Sequence, residues 1–160
     1  MKVLVAVASR HGSTREIAGA IADELRAAGL GADCREAREV GDIAGYDAAV
    51  LGSAVYMGSW QPDALRLVKR HRLVGMPVWL FSSGPLGPDD PRFHPRQVPD
   101  LMQATRARDH RIFPGRLEAR TLSLGERLAV RAVRAPEGDF REWAAIRGWA
   151  REIAAALGTP

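Results

Sequence analysis

Two kinds of apolar pattern alternate along this chain. Residues 2–8, 48–54 and 78–82 are short, nearly continuous runs of Val, Leu, Ala and aromatic residues bounded at their ends by Ser9, Gly52-Ser53 and Ser83-Gly84. Runs of that length predict strands buried on both faces, as in the middle of a parallel sheet. Between them the apolar residues recur at helical spacing. Ile17, Ile21, Leu25 and Ala28 mark a helix over 13–28, closed by Gly29 and Gly31. Pro62 opens a helix over 61–72, with Leu65 and Val68 on one face. A helix over 140–157 carries the stripe Phe140, Trp143, Ile146, Trp149, Ile153 and Leu157, and the Asp139–Glu142 spacing suggests a capping box at its start. Weaker signals predict a strand at 32–36, a loop at 85–99, a short helix at 101–107 and a strand at 110–117 broken by Pro114-Gly115. A last helix is expected over 123–134.

Alternating strands and helices with short connections predict a doubly wound α/β sheet in three layers, with right-handed crossovers. The 160 residues are expected to form one domain. In such a sheet, ligands sit beyond the carboxyl ends of the strands. Three loops leave those ends, at 9–14, 53–60 and 82–87, and all carry small, hydroxyl or aromatic residues.

The first loop is the most informative. It offers hydroxyls at Ser9, Ser13 and Thr14, a glycine at Gly12, and the unpaired N–H groups of a helix N-terminus, which together favour an anion. The same residues also read as a capping box, Ser13 with Glu16, but the hydroxyl at Ser9 precedes the helix and tilts the reading towards phosphate. No G-x-x-x-x-G-K-[ST] is present, and no G-x-G-x-x-G follows the first strand. A phosphoacceptor domain would need acidic residues after the first strand and an Asp ending the third. Ser9-Arg10 and Gly52-Ser53 stand there instead.

Composition narrows the classes further. The net charge of +4 suits an anionic ligand, an acidic partner or an anionic membrane surface, without a nucleic-acid motif to accompany it. The four histidines, His11, His71, His94 and His110, show no metal-ligand spacing. The lone Cys34 excludes an internal disulfide and reads as a small buried hydrophobe in a reducing, cytoplasmic setting. No stretch is long and apolar enough to span a bilayer, and the apolar run at the start is too short for a signal peptide.

The run MKVLVAVASRHGSTRE at 1–16 resembles the FMN phosphate loop of flavodoxins, most closely in the subgroup of quinone-dependent protoporphyrinogen dehydrogenases. YDAAVLGSAVYMGSW at 46–60 and FREWAAIRGWAREIAAAL at 140–157 point to the same subgroup. The resemblance implies a flavodoxin-like three-layer α-β-α sandwich with a five-stranded parallel sheet of order 2-1-3-4-5. The cofactor at the switch point of that order is the known pattern of the fold and is carried over with it.

It also implies roles. Ser9, Arg10, His11, Gly12, Ser13 and Thr14 match the phosphate loop. Ser53, Ala54, Val55, Tyr56, Met57 and Gly58 match the loop flanking the isoalloxazine ring, and Ser83, Gly84, Pro85, Leu86 and Gly87 the loop at its other edge. FMN is the cofactor implied, although a deazaflavin would suit a similar crevice. Arg10 and His11 depart from the threonine-rich middle of typical flavodoxin loops. Arg10 either adds charge to the phosphate site or points to solvent, and His11 is an acid–base candidate or simply a loop histidine. Tyr56 either stacks on the flavin or packs over the next helix. Trp60 reads as packing at a helix start, and Trp79, Trp143 and Trp149 as core. No catalytic side chain stands out, which suits a flavin carrying the redox chemistry itself.

Two functions fit best. One is an oxidoreductase that takes electrons from a substrate such as protoporphyrinogen and gives them to a quinone. The other is an electron carrier that docks to redox partner proteins, against which the basic charge counts, since shuttling flavodoxins are typically acidic. A flavin-binding regulatory protein is a third class. Arg127, Arg131 and Arg134 recur at helical spacing with Leu124 and Leu128 on another face. That helix is either a solvated surface element or a peripheral contact with an anionic membrane.

Overall fold

The computed structural model describes residues 1–85, 89–90 and 93–158. Its central sheet has five parallel strands: β1 (Lys2–Ala8), β2 (Gly31–Glu36), β3 (Ala48–Tyr56), β5 (Val78–Gly84) and β6 (Asp109–Pro114). They lie in the order β2-β1-β3-β5-β6, the expected 2-1-3-4-5 once a two-residue strand, β4 (Ser59–Trp60), is set aside. Val5 pairs with Cys34 on one side and Val50 on the other, and Val50 pairs with Trp79.

Side chains alternate across the sheet, so the apolar runs feed two cores. Val3, Val5, Val7, Trp79 and Phe81 face α1 (Ser13–Ala27) and α5 (Trp143–Gly158). Leu4, Ala6, Leu51, Val78 and Leu80 face the other side, against α2 (Pro62–Arg70), whose Ala64 and Leu67 are buried, and α3 (Val98–Thr105), which buries Leu101. Both faces are covered, which is why these strands lack polar alternation. Trp79 and Trp149 are core as expected. Trp143 is half-buried, and so is Cys34, each packed at the edge of the first core.

Several expected boundaries move. β3 runs past Gly52-Ser53 to Tyr56 and then folds back into β4, with Val55 opposite Trp60 and Tyr56 opposite Ser59. Met57 and Gly58 both have positive φ, as a two-residue hairpin turn requires. Gly52 interrupts nothing. A Cβ there would fall 2.0 Å from Phe81 Cζ, so glycine makes room for a ring on the neighbouring strand. α2 stops two residues early and α3 begins three residues early.

The largest change is at α5, which begins at Trp143 rather than Phe140. Asp139 belongs to β8 (Gly138–Asp139), paired antiparallel with β7 (Arg116–Leu117). Its carboxylate binds the Arg141 N–H and guanidinium, so the Asp139–Glu142 capping box does not form. Phe140 is consequently exposed, and the stripe starts in earnest at Ile146. Between β7 and β8 lies α4 (Leu124–Val133).

Candidate functional site

The three loops converge at the carboxyl edge, where they frame a mostly apolar cleft of about 560 Å³. Arg10, His11, Ser13 and Thr14 line it from the first loop, Ala54, Val55, Tyr56, Met57 and Gly58 from the second, and Ser83, Gly84 and Pro85 from the third. Ser9 and Gly12 instead line a smaller, polar cavity on the far side of the first loop, which Arg10 also borders. Ser53 is fully buried behind the second loop. Leu86 and Gly87 lie outside the described residues.

The first loop is built by its own side chains. Ser9 Oγ accepts the Gly12 N–H at 3.1 Å, and Gly12 adopts φ +88° as the residue before α1. A side chain there has space but would be strained in that conformation. The Ser13–Glu16 capping box does not form. Ser13 Oγ accepts the Arg116 N–H at 3.0 Å, tying the loop to β7, and Glu16 pairs with Arg116 and Arg141. α1 therefore has no side-chain cap, and its first N–H groups, which no helix satisfies internally, remain as fixed donors beside the cleft.

The second and third loops are held from behind. Ser53 Oγ accepts the Gln61 N–H at 2.8 Å, fixing the start of α2 beneath the β3–β4 hairpin. Trp60 is buried and its indole N–H donates to Ser82 Oγ at 2.7 Å; Ser82 Oγ is in turn hydrogen-bonded to His110 Nε2 at 2.8 Å. Burial lowers the His110 pKa to about 4 despite the opposing pull of Asp109, so the imidazole is neutral. Gly84 admits Phe93, whose ring would lie 2.1 Å from an added Cβ. Ser83 Oγ is buried at the cleft and has no hydrogen-bond partner among the described residues.

A fourth wall was not anticipated. Leu117, Leu122, Glu126, Ala129 and Val130 close the cleft from the β7–α4 segment, and Phe93, His94 and Arg96 from the segment before α3. Glu126 is only 3% exposed. It forms a capping box with Ser123, accepts from His11 Nε2 at 3.0 Å and pairs with Arg10. Burial would raise its pKa, but the Ser123 N–H, His11 and the Ser123 hydroxyl outweigh it and bring the carboxyl down to about 2. Arg10 is partly exposed, and its guanidinium lies 4.4 Å from the Tyr56 ring centroid and pairs with Glu126. The Ser-x-x-Glu spacing at Ser123 was a legible cap signal. The separation of 115 positions between His11 and Glu126 left no local trace of their contact.

α4 is inverted relative to an ordinary surface helix. It buries a glutamate while Leu124 and Leu128 are 80% and 64% exposed, and Arg127 and Arg131 are exposed with them. No helix among the described residues is long and apolar enough to cross a membrane.

Comparison with known proteins agrees with this architecture. The family model described as flavodoxin domain matches residues 4–143. Protoporphyrinogen IX dehydrogenase (quinone) of Escherichia coli is 34% identical over 86 residues, which are 51% of this chain and 48% of that protein. The match thus spans about half the length of this curated relative. Among solved structures, a flavodoxin from the domain Archaea covers 99% of this chain and 100% of its own at 15% identity and TM-score 0.68. Oxidised flavodoxin 2 of Bacillus cereus covers 99% and 100% at 21% identity and TM-score 0.66.

Proposed function

Since this chain belongs to the flavodoxin domain family, with a flavin as the implied cofactor, we propose that it is an FMN-dependent oxidoreductase that passes electrons from a reduced tetrapyrrole such as protoporphyrinogen to a quinone. The observation that carries the reading is one mostly apolar cleft with the uncapped start of α1 at one end and an aromatic face, Tyr56, on its wall.

The residues present fit the cofactor. Ser9 and Gly12 shape the first loop, while the hydroxyls and N–H donors of Ser13 and Thr14, with Arg10 and His11, serve the phosphate. Ala54, Val55, Tyr56, Met57 and Gly58 flank one side of the ring, with Ser53 holding their loop from behind. Ser83, Gly84 and Pro85 flank another edge, where the unpartnered Ser83 hydroxyl suits a polar ring atom. Leu86 and Gly87 belong to the same proposal by their match to the third loop. A bound flavin supplies the electron transfer. The chain orients it, and the apolar walls keep water from it.

The exposed Leu124 and Leu128 beside Arg127 and Arg131 support peripheral contact with an anionic membrane, where a quinone is met. Co-sedimentation with anionic vesicles, lost when Arg127, Arg131 and Arg134 are changed to Ser, is the expected result. Equal sedimentation of both proteins removes the membrane contact.

The reading is tested by loading the chain with FMN and supplying protoporphyrinogen and a menaquinone analogue under anaerobic conditions. Turnover of both is expected. Absence of turnover together with rapid reduction by a flavodoxin reductase would make the chain an electron carrier instead.

A further inference from the structure

Arg10 covers the Tyr56 ring, the aromatic face that the proposed flavin site offers. Its guanidinium carbon is 4.4 Å from the Tyr56 ring centroid, so the cation lies against the aromatic ring. The same guanidinium pairs with Glu126 on α4, another wall of the cleft. Arg10 thus bridges two walls, and a ring stacked on that face of Tyr56 excludes Arg10 from it.

The surroundings make this exchangeable. Glu126 does not depend on Arg10 alone, because the Ser123 N–H at 2.7 Å and His11 at 3.0 Å hold the carboxylate as well. Arg10 can leave without stranding a buried charge. Its backbone lies within the loop that meets the phosphate, one residue after Ser9 and two before Gly12. A phosphate there offers the planar guanidinium a bidentate, dianionic partner, a stronger match than a carboxylate shared with His11.

We propose that Arg10 exchanges partners when the cofactor binds, ceding the Tyr56 face to the flavin ring and passing its charge from Glu126 to the phosphate. Arg10 is then the residue that selects FMN over flavins without a terminal phosphate. Riboflavin must displace the same guanidinium and returns no anion to it, whereas FMN displaces it and binds it. A ligand moves an equilibrium only by its differential interaction with the two arrangements, and here the phosphate supplies that difference. The inference rests on the FMN reading above.

The test is a fluorescence-quenching titration of the full chain with FMN and with riboflavin, in wild type, Arg10→Gln and Arg10→Lys, with thermal melting to verify folding. In Arg10→Gln, FMN affinity is expected to fall about tenfold or more while riboflavin binding is unchanged or tighter, so the preference for FMN collapses. Arg10→Lys keeps the charge but loses the planar, bidentate fork, and is expected to retain only part of the preference. An Arg10→Gln protein whose FMN-to-riboflavin ratio matches wild type overturns the exchange, as does a ratio that collapses equally in Arg10→Lys. If Arg10→Gln fails to fold, Arg10→Lys decides: a partly reduced FMN-to-riboflavin ratio supports the exchange, and a ratio equal to wild type overturns it. Wild type that binds no FMN would instead sink the FMN reading itself, so the two failures are distinguishable.

Discussion

At Gly52 and Gly84 the missing side chain is replaced by an aromatic ring from another element, Phe81 in one case and Phe93 in the other. Phe81 is fully buried in the sheet, between Phe113 and Trp149 at 6.2 Å centroid separations, and has nowhere to retreat. Gly52→Ala is therefore expected to destabilise the fold by roughly 1–3 kcal/mol, the usual range for overpacking, read as a lower urea midpoint. His110 makes a different prediction. Its pKa falls from 6.5 to about 4 on folding, so between those values the unfolded chain binds more protons than the folded one. Its contribution to stability is complete above pH 6.5 and is lost as pH falls towards 4. Urea midpoints measured across that window should drop with acidity in wild type, and drop less in His110→Gln. Glu126 and Asp139, both near 2, act below about pH 4.5 and meet the window only at its acid end, so the His110 contribution is read between about pH 6.5 and 5.

Among the elements, α4 departs most from convention, because its capping box points a carboxylate into the cleft while two leucines face outward. Ser123→Ala is expected to cost about 1 kcal/mol, typical of a lost N-cap, and to loosen the Glu126 contact with the first loop. Leu124→Ser removes a side chain that is 80% exposed and should change stability by less than about 0.5 kcal/mol. Thermal melts of both variants check the contrast. The buried strands and α1 were legible because continuous apolar runs and a clean helical stripe leave few alternatives. The β3–β4 hairpin was not, since Met57-Gly58 lacks the Asn-Gly or Asp-Gly signal of its turn type. The start of α5 was misread for a related reason: Asp139 and Glu142 have capping-box spacing, but Arg141 captures the carboxylate. Of the site, the three loops could be read from the strand ends they follow. The α4 wall could not, because it meets the first loop only through tertiary contact.

For the molecule as a whole, the parallel sheet brings the ends of β1, β3 and β5 to one edge, and the excursion from β7 to β8 closes the cleft they open. Family and fold follow from the match over residues 4–143 and from the full-length structural likeness. The proposed substrate comes from a relative matched over about half its length, and the cofactor site precedes any substrate in the proposed reaction. The most direct measurement is an FMN titration of the purified chain, followed by flavin fluorescence and visible absorbance. One FMN per chain should bind at about micromolar concentration or tighter, with the yellow flavin retained through gel filtration. A chain that leaves FMN free at micromolar concentrations, while melting as a folded protein, would contradict the account.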